Sequence, residues 1–223
     1  MPLLPSWMHV VVPDQRGVGD STKPSDGYTL IDAARDVIAL LDALAIDTCW
    51  LVGTSSGGYL AQQVTVDHPS RVLGLVLIGS PSNLHQSLPD GFADFLSSFH
   101  DPVTREDLDA LNGALPLHNP VPDSFVEDQM TAALTIPRHV WRAAIDGLVA
   151  ADPPITQGSI TVPTLILWGG EEDVLPAGQA SELQAAIEGS RVVTYEGVGH
   201  LVLWEQPERV AEDMTAFIAA TQT

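Results

Sequence analysis

Residues 48–58 read Thr-Cys-Trp-Leu-Val-Gly-Thr-Ser-Ser-Gly-Gly and contain the pattern that decides the fold. The apolar run at their start predicts a buried strand, and the residues that follow predict a helix. Between these two elements, Gly53-Thr54-Ser55-Ser56-Gly57 matches G-x-S-x-G, a motif that is informative only in a strand–turn–helix context. The stretch therefore predicts a sharp turn that presents Ser55 as a candidate nucleophile.

The small residues of this turn are what such chemistry requires. Side chains at Gly53 and Gly57 are expected to collide with neighbouring backbone, and Gly58 is expected to let the helix pack close to the sheet. The N–H of Ser56, at the positive end of the helix, is a candidate donor to an oxyanion. The competing interpretation is a glycine-rich turn without catalytic chemistry.

A serine hydroxyl needs a base within hydrogen-bonding reach, and the base needs a carboxylate that orients it. Asp173 follows the predicted strand 164–168, and His200 follows the predicted strand 191–195. Both lie after strand ends, where open α/β sheets place their sites. We therefore expect Asp173 to be the orienting acid and His200 the base, with Glu172 as the alternative acid. A solvated acidic loop and a packed histidine are the alternatives without chemistry.

Apolar runs alternate with helical patterns along the rest of the chain, which is typical of βαβ units and a parallel sheet. Further strands are predicted at 9–12 and 72–78. Helices are predicted at 30–44, with Thr29 and Asp32 forming a capping box, at 177–188, and from Pro207 onward. The proline- and phenylalanine-containing stretch 81–161 breaks this rhythm. It predicts a mostly helical insertion, although ordinary surface helices would have a similar pattern.

The composition narrows the class of protein. The 223 residues are 45% hydrophobic and 17% charged, which indicates one globular domain rather than disorder. The net charge of −20 disfavours nucleic acid and anionic lipid as partners. The residues before His9 contain no Lys or Arg, so no signal peptide is predicted and the expected location is cytoplasmic. No spacing of Cys and His predicts a metal site.

Taken together, these motifs resemble the α/β-hydrolase superfamily, and in particular its small capped esterases, lactonases and cofactor-free perhydrolases. The resemblance covers nearly the whole chain and includes the loop Pro13 to Ser21 and the segment Gly197-Val198-Gly199-His200 followed by Glu205-Gln206-Pro207. It implies a mostly parallel sheet flanked by helices, with 1–80 and 162–223 as the core and 81–161 as a helical cap. It also implies that Asp14 and Arg16 are structural and that no cofactor is needed.

The chain departs from the family pattern at its N-terminus. The family fold begins with three strands, and a His-Gly loop after the third supplies a second oxyanion donor. Nothing similar precedes His9, so we expect an N-terminally truncated fold that lacks roughly 40 residues. In that case the strand at 9–12 must pair directly with the strand at 48–52, or both must leave backbone groups and apolar faces exposed.

These observations predict a serine hydrolase that cleaves a carboxylic ester, a lactone or a related acyl bond in a small, apolar substrate. Two alternatives follow from the departure: a weak or inactive hydrolase-like ligand-binding protein, and a fragment without its oxyanion loop. The residues do not identify the substrate or the oligomeric state.

Overall fold

The computed structural model describes residues 3–85 and 92–221. Its strands are β1 (Cys49–Thr54), β2 (Val72–Ile78), β3 (Thr164–Gly169) and β4 (Arg191–Tyr195). The helices are α1 (Leu30–Ala43), α2 (Ser56–Asp67), α3 (Phe92–Ser97), α4 (Arg105–Gly113), α5 (Asp123–Ala133), α6 (Arg138–Val149), α7 (Pro154–Gln157), α8 (Gln179–Ala186), α9 (Val202–Glu205) and α10 (Pro207–Thr221).

The four strands form one parallel sheet in the order β1-β2-β3-β4. β2 and β3 are continuous apolar runs that are buried almost throughout, as expected for strands covered by helices on both faces. The predicted parallel α/β architecture is confirmed. Because the strands are parallel, their carboxyl ends meet at one edge of the sheet, where β1, β3 and β4 lead into the three predicted site segments.

The predicted capping box at the start of α1 is present. The Thr29 hydroxyl accepts the backbone N–H of Asp32 at 3.1 Å, and the Asp32 carboxylate accepts the backbone N–H of Thr29 at 3.3 Å. Leu30, Ala34 and Leu41 of this helix are buried in the core. The predicted apolar face ends one turn early, because Leu44 lies beyond the last helical residue and is exposed.

The prediction of a buried strand at 9–12 is wrong. The segment has no strand structure, and Val10, Val11 and Val12 are 40%, 41% and 69% exposed. Apolar residues favour a strand only where a neighbouring strand supplies hydrogen-bonding partners, and among the described residues β1 pairs with β2 alone. Of the two outcomes predicted for this region, the structure shows apolar side chains left exposed, with Val52 of β1 also 49% exposed.

We call the chain between β2 and β3 the helical segment, and its described residues form the five helices α3 to α7. It has an apolar cluster of its own, in which Phe99 and Leu108 are each 1% exposed and Trp141 packs edge-on against Phe99. The predicted insertion boundaries enclose residues 86–91, which lie outside the described residues. The described part of 81–161 contains α3 to α7, and the insertion with its boundaries stays a prediction.

Within residues 3–85 and 92–221, no helix combines the length and apolarity needed to cross a bilayer.

Candidate active site

Ser55 lies at the sharp turn between β1 and α2, as its motif predicts. Its backbone angles are φ 49° and ψ −123°, a conformation that non-glycine residues rarely adopt. The Ser55 N–H donates to the carbonyl of Ile78 at 2.9 Å, so the end of the neighbouring strand β2 holds the turn. A strained, well-anchored serine at a strand-to-helix turn is typical of a nucleophile elbow.

The glycines of the turn have different roles. A Cβ on Gly53 would collide with the backbone of Gly57 and Gly58, and a Cβ on Gly58 would collide with Ser80 on the strand side. The collisions expected at Gly53 and the close packing expected at Gly58 are therefore present. A Cβ on Gly57 would meet nothing within 4 Å, so the expected collision at Gly57 is wrong. Gly57 faces open space because the chain turns away from it.

His200 faces the nucleophile. It follows β4 through a turn in which Gly197 has φ 71°, and the residue is only 3% exposed. Its Nε2 lies 2.9 Å from Oγ of Ser55, across 145 residues of sequence. The structure thus places these two predicted site residues in direct hydrogen-bonding contact.

The carboxylate behind His200 belongs to Glu172 and not to Asp173. Glu172 Oε2 lies 2.8 Å from Nδ1 of His200, and its Oε1 accepts the N–H groups of Val174 and Leu175, each at 2.9 Å. The glutamate side chain is 5% exposed. The primary choice of acid is therefore corrected to the alternative, because these backbone donors turn the Glu172 side chain toward His200.

Asp173 points in another direction. Its Oδ2 lies 3.1 Å from Nε2 of His118, which belongs to the connection between α4 and α5, and both side chains are partly exposed. The loop is fixed upstream, where Gly170 N–H donates to Tyr195 O and Glu171 N–H to Val198 O, both at 2.9 Å. These bonds tie the acid loop (residues 170–175) to the start of the histidine loop (residues 195–200).

A comparison with protein-family models matches residues 1–207 to the alpha/beta hydrolase fold. The chain belongs to the α/β-hydrolase fold family. The superfamily resemblance inferred from the sequence is confirmed.

Individual relatives of this α/β-hydrolase share the fold along most of the chain. It is 28% identical over 235 residues to 2-hydroxymuconate semialdehyde hydrolase of Pseudomonas sp. (strain CF600), covering 98% of this chain and 79% of that protein. It is 43% identical over 190 residues to a protein of Variovorax paradoxus (strain S110) provisionally named carbamate hydrolase RutD. That alignment covers 78% of this chain and 67% of that protein. The structure of the esterase EaEST from Exiguobacterium antarcticum superposes on this chain with a TM-score of 0.78 at 23% sequence identity. The superposition covers 94% of this chain and 80% of the esterase.

Ser56, the predicted oxyanion donor, is the first residue of α2 and is exposed. Its N–H is one of the helix N-terminal donors that have no partner within the helix. Such a donor next to the nucleophile is positioned to stabilise negative charge on a substrate oxygen. In the described part of the chain, no three His, Cys, Asp or Glu side chains are grouped so as to hold a metal ion.

Sequence reasoning gave no role to two further residues beside the site. Glu205, in α9, is 6% exposed, and its carboxylate is hydrogen-bonded to Gly199 and Asn119. In the sequence, Glu205 belongs to the segment Glu205-Gln206-Pro207 that resembles the family pattern. Asn119 lies in the helical segment, where no motif distinguishes it from other polar residues, so only the tertiary structure reveals the contact.

Proposed function

We propose that this α/β-hydrolase is a serine hydrolase that cleaves a carboxylic ester, a lactone or a related acyl bond. In this proposal Ser55 is the nucleophile, His200 the general base and Glu172 the orienting acid. The observation that carries it is the continuous chain from Ser55 Oγ to His200 Nε2, at 2.9 Å, and from His200 Nδ1 to Glu172 Oε2, at 2.8 Å.

The geometry suits transfer of a proton from the Ser55 hydroxyl to Nε2 of His200. A carboxylate accepts hydrogen bonds only, so Glu172 favours the tautomer of His200 with the proton on Nδ1. Nε2 is then free to accept the proton of the Ser55 hydroxyl as Oγ attacks the acyl carbon. His200 passes that proton to the leaving oxygen, and the acyl group remains on Ser55. Water, deprotonated by His200, then releases the acid product and restores the serine.

Two features of the environment support this chemistry. His200 and the Glu172 side chain are almost completely buried, so their hydrogen bond is shielded from competing water. The backbone N–H of Ser56, at the start of α2, is proposed to donate a hydrogen bond to the substrate oxygen on which negative charge develops. Donors of this kind act where the charge develops and typically contribute about 3 kcal/mol of transition-state stabilisation each.

The helical segment is proposed to act as a cap, with 81–161 inserted into a core formed by 1–80 and 162–223. This is supported by the contacts of His118 and Asn119 with the loops that carry Glu172 and His200. The substrate is proposed to be small and mostly apolar, in keeping with the apolar composition of the segment. The relatives named as hydrolases of a semialdehyde and of carbamate differ in the substrate that their names give, so they do not specify the acyl group of the substrate.

The deciding experiment is labelling of the full chain with a fluorophosphonate probe, followed by mass spectrometry of the modified peptide. We expect covalent modification at Ser55, none in Ser55→Ala, and none in heat-unfolded protein. Ser56→Ala is the matched control, because it removes the adjacent hydroxyl and keeps the backbone N–H. Labelled protein would then be assayed with short-chain nitrophenyl esters and lactones. A folded protein, verified by circular dichroism, that is not labelled would overturn the proposal and favour the ligand-binding alternative.

A further inference from the structure

The buried carboxylate of Glu205 connects the turn before His200 with Asn119 of the helical segment. Its Oε1 accepts the N–H of Gly199 at 3.2 Å, and its Oε2 accepts both the backbone N–H of Asn119 at 2.8 Å and its side-chain amide at 2.7 Å. The same Asn119 amide also donates to the carbonyl of Gly197 at 2.7 Å. We call this set of bonds the Glu205–Asn119 clamp.

The clamp is made of strong contacts. A carboxylate that is only 6% exposed must recover its lost hydration from hydrogen bonds, and here neutral donors from Gly199 and Asn119 supply them. No cation takes part in the contacts found for Glu205. Removal of one donor therefore leaves the buried carboxylate of Glu205 with too few hydrogen bonds. The position of the turn that contains Gly199 thus depends on the presence of Asn119 at Glu205.

The position of the clamp gives it a consequence for catalysis. Gly199 directly precedes His200, and Gly197 and Gly199 bracket the turn that delivers the imidazole to Ser55. Gly199 also packs against the ring of His118, the neighbour of Asn119. The histidine loop is thus held from two sides, by Glu205 in the core and by residues 118–119 in the helical segment.

We infer that Asn119 and Glu205 are positioning residues, which fix His200 against Ser55 and make the reactivity of Ser55 depend on the seating of the helical segment. This rests on the proposed function, because the effect is exerted on the Ser55–His200 contact. A misplacement of about 1 Å between reacting groups can lower a rate by roughly 10²-fold, so a clamp of this kind has a measurable effect.

The neighbouring His118–Asp173 pair does not contribute comparably. Its side chains are 33% and 40% exposed, and polar side-chain contacts that are open to solvent contribute little to stability. Among the described residues, Asn119 therefore makes the hydrogen bond from the helical segment to the histidine loop, while His118 packs against Gly199.

The test compares second-order rate constants for fluorophosphonate labelling in wild type, Asn119→Ala and Glu205→Gln. Glu205→Gln keeps the size of the side chain but presents an amide to the donors of Asn119. Glu208→Gln, an exposed change nearby in α10, controls for the loss of charge. Leu41→Ala, in the distant helix α1, controls for general loss of stability. All proteins would be compared well below their melting temperatures, with amide hydrogen exchange measured at residues 197–200.

We expect labelling of Asn119→Ala and Glu205→Gln to fall roughly 10- to 100-fold, with faster exchange at residues 197–200, and both controls to label as wild type does. Labelling of both variants within twofold of wild type would overturn the inference, as would an equal fall in Leu41→Ala. A wild-type protein that is not labelled overturns the proposed function instead. In that case unchanged exchange at residues 197–200 in both variants would separately overturn the clamp.

Discussion

Glu172 and His200 form a buried pair in which Oε2 lies 2.8 Å from Nδ1, while Asp173, the next residue, faces His118. Two adjacent carboxylates thus occupy different environments. Only the first is aligned with the imidazole that contacts Ser55. This difference allows the role of the acid to be tested by changing one residue at a time.

Glu172→Gln is expected to lower the labelling rate of Ser55 by roughly 10³- to 10⁴-fold, because an amide no longer favours the Nδ1-protonated tautomer of His200. Asp173→Asn should label at close to the wild-type rate, since its partner His118 is partly exposed. The measurement is the second-order rate constant with a fluorophosphonate. The opposite order of the two variants would return the role of acid to Asp173.

Alanine substitutions at the turn should separate Gly53 from Gly57. Gly53→Ala places a Cβ on the backbone of Gly57 and Gly58, so we expect a loss of about 3 kcal/mol or more in the free energy of unfolding. The Cβ added by Gly57→Ala has no neighbouring atom within 4 Å. Because Gly57 lies in α2 and alanine favours a helix over glycine, we expect this variant to raise the free energy of unfolding by about 0.5–1 kcal/mol. Urea unfolding of both variants checks this. A destabilised Gly57→Ala would show that the space beside Gly57 is occupied.

Asp107 should make the helical segment sensitive to pH. Burial of its carboxyl works in the opposite direction, but hydrogen bonds from Thr104 and His100 hold the pKa of Asp107 well below its usual value. The hydrogen bond to Asp107 raises the pKa of His100 above its ordinary value. Because the pKa of Asp107 is lowered on folding, its carboxylate stabilises the fold at pH values above about 4, the ordinary pKa of an aspartate. Because the pKa of His100 is raised on folding, its imidazolium stabilises the fold at pH values below about 6.5, the ordinary pKa of a histidine.

Asp107→Asn is therefore expected to lower the free energy of unfolding by about 1–2 kcal/mol. The difference from wild type should be largest between about pH 4 and pH 6.5. It should shrink in stronger acid, as Asp107 is protonated in the folded state, and above neutral pH, as His100 loses its proton. Asp128→Asn, at an exposed position of α5, is the control. Thermal unfolding across this pH range provides the measurement, and a difference independent of pH would contradict the assignment.

Arg16 holds the loop before α1 through a bidentate pair with Asp36, with both N···O distances at 2.7 Å. Arg16→Lys preserves the charge but loses the planar fork, so we expect a loss of about 0.5–1 kcal/mol in the free energy of unfolding. Arg35→Lys, at a position whose side chain is 73% exposed, should change it negligibly. Urea unfolding of both variants provides the measurement. Equal losses in the two variants would show that the bidentate geometry of the Arg16 guanidinium adds nothing to stability.

The sequence predicted the sheet well where burial alone determines structure. β2 spans its predicted apolar run and β3 extends one residue beyond its own, because such strands are covered on both faces and leave a clear pattern. The same reasoning failed at Val10–Val12, whose apolarity indicates a strand but does not supply a partner for it. A single segment cannot show whether its hydrogen-bonding neighbour is present.

The site was predictable to the level of its loops but not of each side chain. Ser55 and His200 follow from the motif and from strand order. The choice between Glu172 and Asp173 depends on which side chain accepts the N–H groups of Val174 and Leu175 and also faces His200, a contact between residues 28 positions apart. Asn119 was inaccessible to sequence reasoning for the same reason, since its partners lie 78 and 86 residues away.

The backbone of Ser55, with φ 49°, has a consequence for stability. In this left-handed region an ordinary residue is less stable than glycine by about 1 kcal/mol or more. Ser55→Gly would relieve this conformational cost but remove the hydroxyl that contacts His200. The turn therefore keeps a side-chain oxygen beside the imidazole at the expense of resistance to unfolding.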